Sequence, residues 1–580
     1  MQVEYKMIKI KIDDIEVEVP SGTTILEAAK KIGVDIPTLC KHPDLTAKST
    51  CRVCVVEDTK VGKLKASCSE IVDNVRGEII TNSERVRNAR KMTLQLILAN
   101  HPQDCLNCIR NQKCELQDLA MKENIMDNPF ERIHEPIPIK DDNPSLVRDN
   151  SKCIKCGRCV QACSEIQGCD AIGFRNRGQN ISIGQAFDRI TDASTCVLCG
   201  KCITVCPVGA LREKSDIEKA LTALKNEDKF VIFQTAPSVR VGIGDDFGFE
   251  PGEIATGQMV EGIRRLGADK VIDTNFAADL TIMEEGTELL DRLNNGGTLP
   301  MITSCSPGWI NYVEKTYPEL IPHLSSCKSP QQMFGAVTKT YYAEKLGIDP
   351  KDMYVISVMP CIAKKYERTR DGMQSSGYSD IDVVLTTREL ARMFKMYSLD
   401  LKNLPSSDYD SIIGHGSGAG TIFGTSGGVM EAALRTVYEI TTGEELKDID
   451  FDVVRGHEGI KEAVIPVGDL DVKIAVTNGL SNAKVIMEKI KNGEADYHFI
   501  EVMACPGGCI GGGGQPFTIK HDARKDRMKG LYKDDKELKI RKSHENPEIL
   551  QIYEEYLGEP NSHKAHELLH TTYKDRRTKA

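Results

Sequence analysis

The sequence predicts a multidomain α+β and α/β protein, in which small cysteine-rich modules precede one large α/β domain. Three observations lead there. At roughly 150 residues per domain, a chain of 580 residues is too long for any single small module. Sixteen of the 21 cysteines lie within residues 1–206, leaving five for the rest. After about Ala210 the pattern turns to alternating apolar strands and helices, the mark of α/β layering. Hydrophobic residues make up 40% and charged residues 28%, and no apolar run approaches the roughly 18 residues of a membrane span, so a soluble globular protein with no membrane partner is expected. A net charge of −10 argues against a phosphate-neutralising surface and makes nucleic acid an unsuitable partner, while a small basic redox partner is not repelled. The N-terminus, MQVEYKMIKIKIDD, lacks an apolar stretch after a basic start, so no secretory signal and a cytoplasmic location are expected. Thiols stay reduced there, and cysteines at short fixed spacings read as metal ligands, with iron–sulfur clusters foremost.

The first module is expected over residues 1–82. Residues 7–19 alternate apolar and polar about Asp13 and Asp14, a hairpin pattern, and Thr24 to Ile32 reads as a short amphipathic helix. The loop beyond carries Cys40, Cys51, Cys54 and, after a valine-rich segment, Cys68. Strand, strand, helix and cysteine loop resemble the β-grasp fold of plant-type 2Fe-2S ferredoxins. The spacing C-x10-C-x2-C-x13-C differs from the plant form and fits the 2Fe-2S modules of larger redox enzymes. Zinc is the competing reading, since it also takes four thiolates, usually as two close pairs.

Over residues 83–140, Glu84 to Asn100 reads as a helix, with Val86, Ala89, Met92, Leu96 and Ile97 near one face. It leads into His101, Cys105, Cys108 and Cys114, spaced H-x3-C-x2-C-x5-C. Three thiolates and an imidazole resemble the His-ligated 4Fe-4S module shared by the electron-wiring subunit of respiratory complex I and by iron-only hydrogenases. Over residues 141–214, Cys153, Cys156, Cys159 and Cys163 recur 43 residues later as Cys196, Cys199, Cys202 and Cys206. This is the bacterial two-cluster ferredoxin pattern, in which the fourth cysteine of each run ligates the other cluster. One 4Fe-4S cluster is therefore assigned to Cys153, Cys156, Cys159 and Cys206, the other to Cys196, Cys199, Cys202 and Cys163. Cys169 reads as a buried apolar thiol.

Over residues 215–580, strands are expected at Lys229–Gln234, Lys270–Asp273 and Met353–Met359 and a helix at Gly257–Leu266. Gly414 to Gly420 contains a G-x-G-x-x-A pattern, weak support for a nucleotide and equally explained by tight packing. Three segments carry four of the five remaining cysteines: Thr303-Ser-Cys305-Ser306-Pro-Gly-Trp309, Met359-Pro-Cys361-Ile-Ala-Lys364, and Glu501-Val-Met503-Ala-Cys505-Pro-Gly-Gly-Cys509 followed by Gly511 to Gly514. With Lys328-Ser-Pro-Gln-Gln332 and Arg541-Lys-Ser-His-Glu-Asn546, these resemble the motifs of the iron-only (FeFe) hydrogenases, in the modular form with a two-lobed α/β catalytic domain. The resemblance spans essentially the whole chain. It implies an H-cluster, a 4Fe-4S cubane bridged through one cysteine sulfur to a two-iron unit with CO, cyanide and azadithiolate. It places Cys361, Cys505 and Cys509 on the cubane, with Cys509 bridging. Lys364 and Ser238 would address the cyanides, with Pro237, Met359 and Met503 as walls, and the glycines would let backbone approach the iron.

Met283 to Glu288 reads as a helix start, with Glu285 and Glu288 on neighbouring faces. The resemblance maps Glu285, Glu288 and Ser325 onto the family's proton relay, with Arg292 near its exit. The family motif has two adjacent cysteines before Pro-Gly-Trp, a proton-transferring thiol and then a cubane ligand; here the pair is Cys305-Ser306. Gap-free counting puts Ser306 at the ligand position and Cys305 in the relay. The alternatives are that Cys305 ligates instead, that Ser306 ligates as alkoxide, or that Cys327 takes the place. The expected function is reversible H2 oxidation with electrons passing to ferredoxin or a similar carrier, after assembly by hydrogenase maturation proteins. A catalytic subunit of an NAD(P)H- or formate-linked complex is the near alternative, and a hydrogen sensor or iron–sulfur carrier with little turnover the distant one.

Overall fold

In the computed structural model, residues 6–132, 137–191, 193–468, 470–517 and 523–577 are described; Met1–Tyr5 of the N-terminal reading lie outside them. Strands β1 (Met7–Ile12) and β2 (Ile15–Pro20) pair antiparallel with Ile12 opposite Ile15. Asp13 and Asp14 turn between them at φ 43° and 67°, left-handed values that aspartate tolerates better than most residues. The helix Ile25–Lys31 begins at Thr24, whose hydroxyl accepts from the Glu27 amide while the Glu27 carboxylate accepts from the Thr24 amide, a reciprocal cap. Strands β3 (Val55–Asp58), β4 (Lys63–Ala66) and β5 (Ile79–Ile80) complete a sheet in the order β2-β1-β5-β3-β4.

The helix Glu84–Ala99 forms as expected, but on a different face. Met92 and Leu96 of the expected stripe are exposed, whereas Arg90, Leu94 and Gln95 join Val86 in the interior. The polar pair turns inward because it finds partners. Arg90 Nη2 donates to the carbonyls of Val55 and Thr81 at 2.9 and 2.8 Å, and Gln95 Nε2 to that of Asp127 at 3.3 Å. Apolar periodicity is blind to such bonds.

Farther on come β6 (Leu146–Arg148), the hairpin of β7 (Gly173–Arg175) with β8 (Ser182–Gly184), and β9 (Leu211–Glu213), which pairs back on β6. The cysteine repeat is also a backbone repeat: Lys155 and Leu198 sit at φ 57° and 58°, Gly157 and Gly200 at 80° and 75°.

The remaining strands are β10 (Phe230–Thr235), β11 (Lys270–Asp273), β12 (Met301–Ile302), β13 (Met353–Met359), β14 (Val383–Thr386), β15 (Ile460–Val467), β16 (Leu470–Asn478) and β17 (Phe499–Met503). They make two sheets, β11-β10-β13-β14, all parallel, and β12-β17-β16-β15, parallel but for its last pair. Strands β10, β13, β14 and β17 are mostly apolar and buried along nearly their full length, as parallel strands covered on both faces require. Glu285 and Glu288 lie in the middle of a helix, Asn275–Asn295, and not at a helix start. The first turn of this helix packs on the glycine-rich segment: a Cβ on Gly416 or Gly420 would run into Asn275. Those glycines serve close packing.

Candidate metal centres and catalytic cavity

The four cysteines of the first module converge as two touching pairs. Cys40 pairs with Cys51 and Cys54 with Cys68, each pair sharing a proton so that one thiol is lowered as its partner is raised. Thiols this close together suit a shared metal site. In the second module the half-buried His101 ring keeps Nδ1 without a hydrogen-bond partner among the described residues, and burial holds its pKa below the ordinary value. A neutral imidazole with an orphaned nitrogen, four residues ahead of Cys105 in the chain, suits a metal ligand. Gly209 is required there, since its Cβ would press on Cys108 Sγ at 2.5 Å.

The ferredoxin-like segment contains two small cradles. One, of about 20 Å³, is lined by Cys153, Cys156, Cys159 and Cys206; the other, of about 30 Å³, by Cys163, Cys196, Cys199 and Cys202. The fourth cysteine of each run thus sits with the three of the other run. Cys169 lines the second cradle as well, its thiol donating to the Gln167 carbonyl at 3.2 Å.

Cys361, Cys505 and Cys509 line one cavity of about 90 Å³, with Cys305, Ser306, Met359, Met503, Lys364, Pro237 and Ser238. Its walls follow directly on the carboxyl ends of β10, β12, β13 and β17, where parallel sheets place their ligand sites. Burial, then mutual charge, pushes Cys505 and Cys509 up to about 12. Their ionisation therefore needs a cation, and metal supplies one. The Ser238 hydroxyl is fully buried and has no hydrogen-bond partner among the described residues, an orphan that suits a bound anionic ligand. Lys364 Nζ donates to the Cys305 carbonyl at 3.1 Å and to the Glu367 carboxylate at 3.0 and 3.1 Å. Glu367, three residues on, escaped the sequence reading. The glycine run needs its lack of side chains for packing as well, and Gly508 and Gly512 line the cavity itself. Added Cβ atoms on Gly512 and Gly513 would strike the carbonyls of Pro360 and Cys199, and one on Gly508 would lie 2.7 Å from the Ser426 amide. The glycines seat this loop on the protein's own backbone.

Cys305 and Ser306 face different neighbours. The charge acting most strongly on the Cys305 thiol is that of Glu285, while Ser306 Oγ accepts from the Ala504 amide at 3.4 Å, beside Cys505. Cys327 does not line the cavity; its thiol lies 3.8 Å from Glu288. Glu285 is buried and its carboxyl oxygens have no hydrogen-bond partner among the described residues. Burial first, and the Glu288 charge second, push it up to about 8. Ser325 Oγ donates to Glu288 at 2.8 Å, and Arg292 Nη2 donates to the other oxygen of the same carboxylate at 2.6 Å. Ser325, Glu288 and Arg292 thus form a hydrogen-bonded series, while Glu285 stands between Cys305 and Glu288 electrostatically and bonds to neither.

Comparison with known proteins gives concordant matches. The family described as iron only hydrogenase large subunit, C-terminal domain, matches residues 229–513, and iron hydrogenase small subunit matches residues 521–576. A 2Fe-2S iron–sulfur cluster binding domain matches residues 5–76, the NADH-ubiquinone oxidoreductase-G iron–sulfur binding region residues 90–129, and the ferredoxin-like domain of NADH-quinone oxidoreductase subunit 3 residues 143–212. The first of these resolves the four-thiol site in favour of 2Fe-2S over zinc. NADP-reducing hydrogenase subunit HndD of Solidesulfovibrio fructosivorans is 48% identical, over 98% of this chain and 99% of that one. Iron hydrogenase 1 of Clostridium pasteurianum is 43% identical over 98% and 100%. A solved apo structure of FeFe-hydrogenase HydA1 from Chlamydomonas reinhardtii, 46% identical, covers 63% of this chain and all of that one with a TM-score of 0.57.

Proposed function

Since the chain belongs to the iron-only hydrogenase family, we propose that it is the hydrogen-activating subunit of an NAD(P)-linked assembly, interconverting H2 with two protons and two electrons. The observation that carries the activity is the convergence of Cys361, Cys505, Cys509, Lys364 and the orphaned Ser238 hydroxyl on one cavity. For the linkage, the relative HndD is by name a subunit of an NADP-reducing enzyme, and the one glycine pattern suggestive of a dinucleotide is occupied in packing on Asn275. Nicotinamide chemistry then belongs to another chain.

Cys361, Cys505 and Cys509 would hold the cubane of a six-iron centre, with Cys509 bridging and Ser306 at the fourth corner. Lys364 and Ser238 would meet its anionic ligands, with Met359, Met503 and Pro237 as walls. When bound, that centre supplies the electrons and the site at which protons and H2 interconvert. The chain's own residues move the protons. Glu285, neutral at neutral pH, exchanges a proton with the Cys305 thiol on one side and with the Ser325 hydroxyl on the other. Glu288 takes it up next, held in place by Arg292.

Infrared spectra of the matured protein should show CO and cyanide stretching bands that vanish in Cys509→Ala. Their absence from protein fully loaded with iron and sulfide would overturn the reading. Purification from the native host should carry along a chain that reduces NAD(P)+ with H2; isolation of a lone chain active only with ferredoxin would favour the one-electron carrier as partner.

A further inference from the structure

Arg148 is the last residue of β6, fixed opposite Leu211 of β9 and by reciprocal backbone hydrogen bonds with Lys140 at 2.8 and 2.9 Å. Its side chain lines the cradle of Cys153, Cys156, Cys159 and Cys206 and also the cradle of Cys163, Cys196, Cys199 and Cys202; no other described residue lines both. It is only 5% exposed, its Nη1 has no hydrogen-bond partner, and it forms no ion pair among the described residues. Neighbouring Arg158, equally buried, has the Glu115 carboxylate at 2.7 and 2.8 Å. A buried guanidinium without a counter-ion is strongly destabilising. Four thiolates around each 4Fe-4S cluster make an anionic group on either side of Arg148, and they are the counter-charge the fold otherwise lacks.

We infer that Arg148 is a shared potential-setting residue, donating to sulfur at both four-iron clusters and raising both reduction potentials together. The inference rests on the cluster assignment above. Reduction adds one electron to a cluster and no atom, so it increases negative charge beside a fixed cation, which favours the reduced form; charge and hydrogen bonds to sulfur are the main protein levers on such potentials. Because one cation faces both clusters, it shifts both in the same direction and leaves the step between them little changed.

The test is a redox titration followed by electron paramagnetic resonance on the full, matured chain carrying Arg148→Gln or Arg148→Lys. Both cluster midpoints should move to lower potential in the Gln variant and less far in the Lys variant, with iron content unchanged. Movement of only one midpoint, or of neither, overturns the inference. If the Gln variant takes up no clusters, wild-type protein labelled with 15N-arginine should show guanidinium nitrogen coupling on both cluster signals, lost in Arg148→Lys; absence of that coupling from either signal overturns it equally. Wild-type protein without two ferredoxin-type four-iron signals would instead defeat the cluster assignment, a distinct result.

Discussion

Cys305 and Ser306 differ by one atom, sulfur against oxygen, and different groups face them. With the Glu285 carboxyl as its strongest electrostatic neighbour, Cys305 is proposed to pass a proton. Cys305→Ala should keep the CO and cyanide bands while turnover falls by orders of magnitude, since a methyl group carries no proton. Loss of every band would make Cys305 a ligand, and bands with full turnover would remove it from both roles. Ser306→Cys places a softer ligand at the corner beside Cys505 and should alter the cubane's spectrum and potential; an unchanged spectrum would show that Ser306 does not bind iron. Glu285 makes a pH prediction. Its pKa near 8 keeps it protonated at neutral pH, so H2 evolution should decline as pH rises through about 8, and Glu285→Gln should lose most activity at every pH. Stability has a definite sign too. The unfolded chain loses this proton near pH 4.5 and the folded chain near 8, so this group lowers stability progressively across that window. Denaturant titrations at pH 5 and pH 8 should show Glu285→Gln losing less stability between the two than wild type.

At the scale of elements, the glycine run beyond Cys509 joins two parts of the molecule. A Cβ on Gly513 would lie 2.7 Å from the Cys199 carbonyl and 3.0 Å from the Gly200 Cα, backbone atoms with no room to give. Gly513→Ala should therefore push the ferredoxin-like segment off the catalytic cavity, at a cost of about 1–3 kcal/mol as for other overpacked contacts. Electron arrival at the cavity should slow while each segment keeps its iron; freeze-quench spectroscopy would detect this, and unchanged arrival would mean the contact is dispensable. This contact also marks what was legible in the sequence. Ligands that share one short segment, such as Cys153, Cys156 and Cys159, are local and show in their spacing, as do the β1–β2 hairpin and most strands of the catalytic domain. The inward face of Glu84–Ala99, the true start of Asn275–Asn295, the purpose of the glycines and the position of Arg148 depend on partners far away in the chain. No local periodicity records such partners.

Over the whole molecule, both N-terminal modules reach the ferredoxin-like segment directly, besides packing on each other through Arg90, an arrangement that allows a forked wire. Arg158 donates to the Glu115 carboxylate of the His101 module and to the Lys41 carbonyl beside Cys40 at 2.8 Å. Arg110 reaches from the His101 module to the Cys206 carbonyl at 2.8 Å, and the Thr46 amide donates to Glu165 at 3.0 Å. Both N-terminal modules thus dock on the same ferredoxin-like segment, whose Cys199 lines the catalytic cavity. With every site filled, the chain should hold about 20 iron atoms. A forked wire and a serial one make different predictions. In His101→Ala, H2 should still reduce the 2Fe-2S cluster of the first module at close to its normal rate, because that branch does not pass through the His101 cluster. In Cys202→Ala, which disables the ferredoxin-like cluster nearer the cavity, H2 should reduce neither branch on the turnover timescale, although the infrared bands of the active centre persist. Freeze-quench paramagnetic resonance after mixing with H2 reads both outcomes. If His101→Ala isolates the 2Fe-2S cluster, the modules conduct in series and the fork is only a packing arrangement.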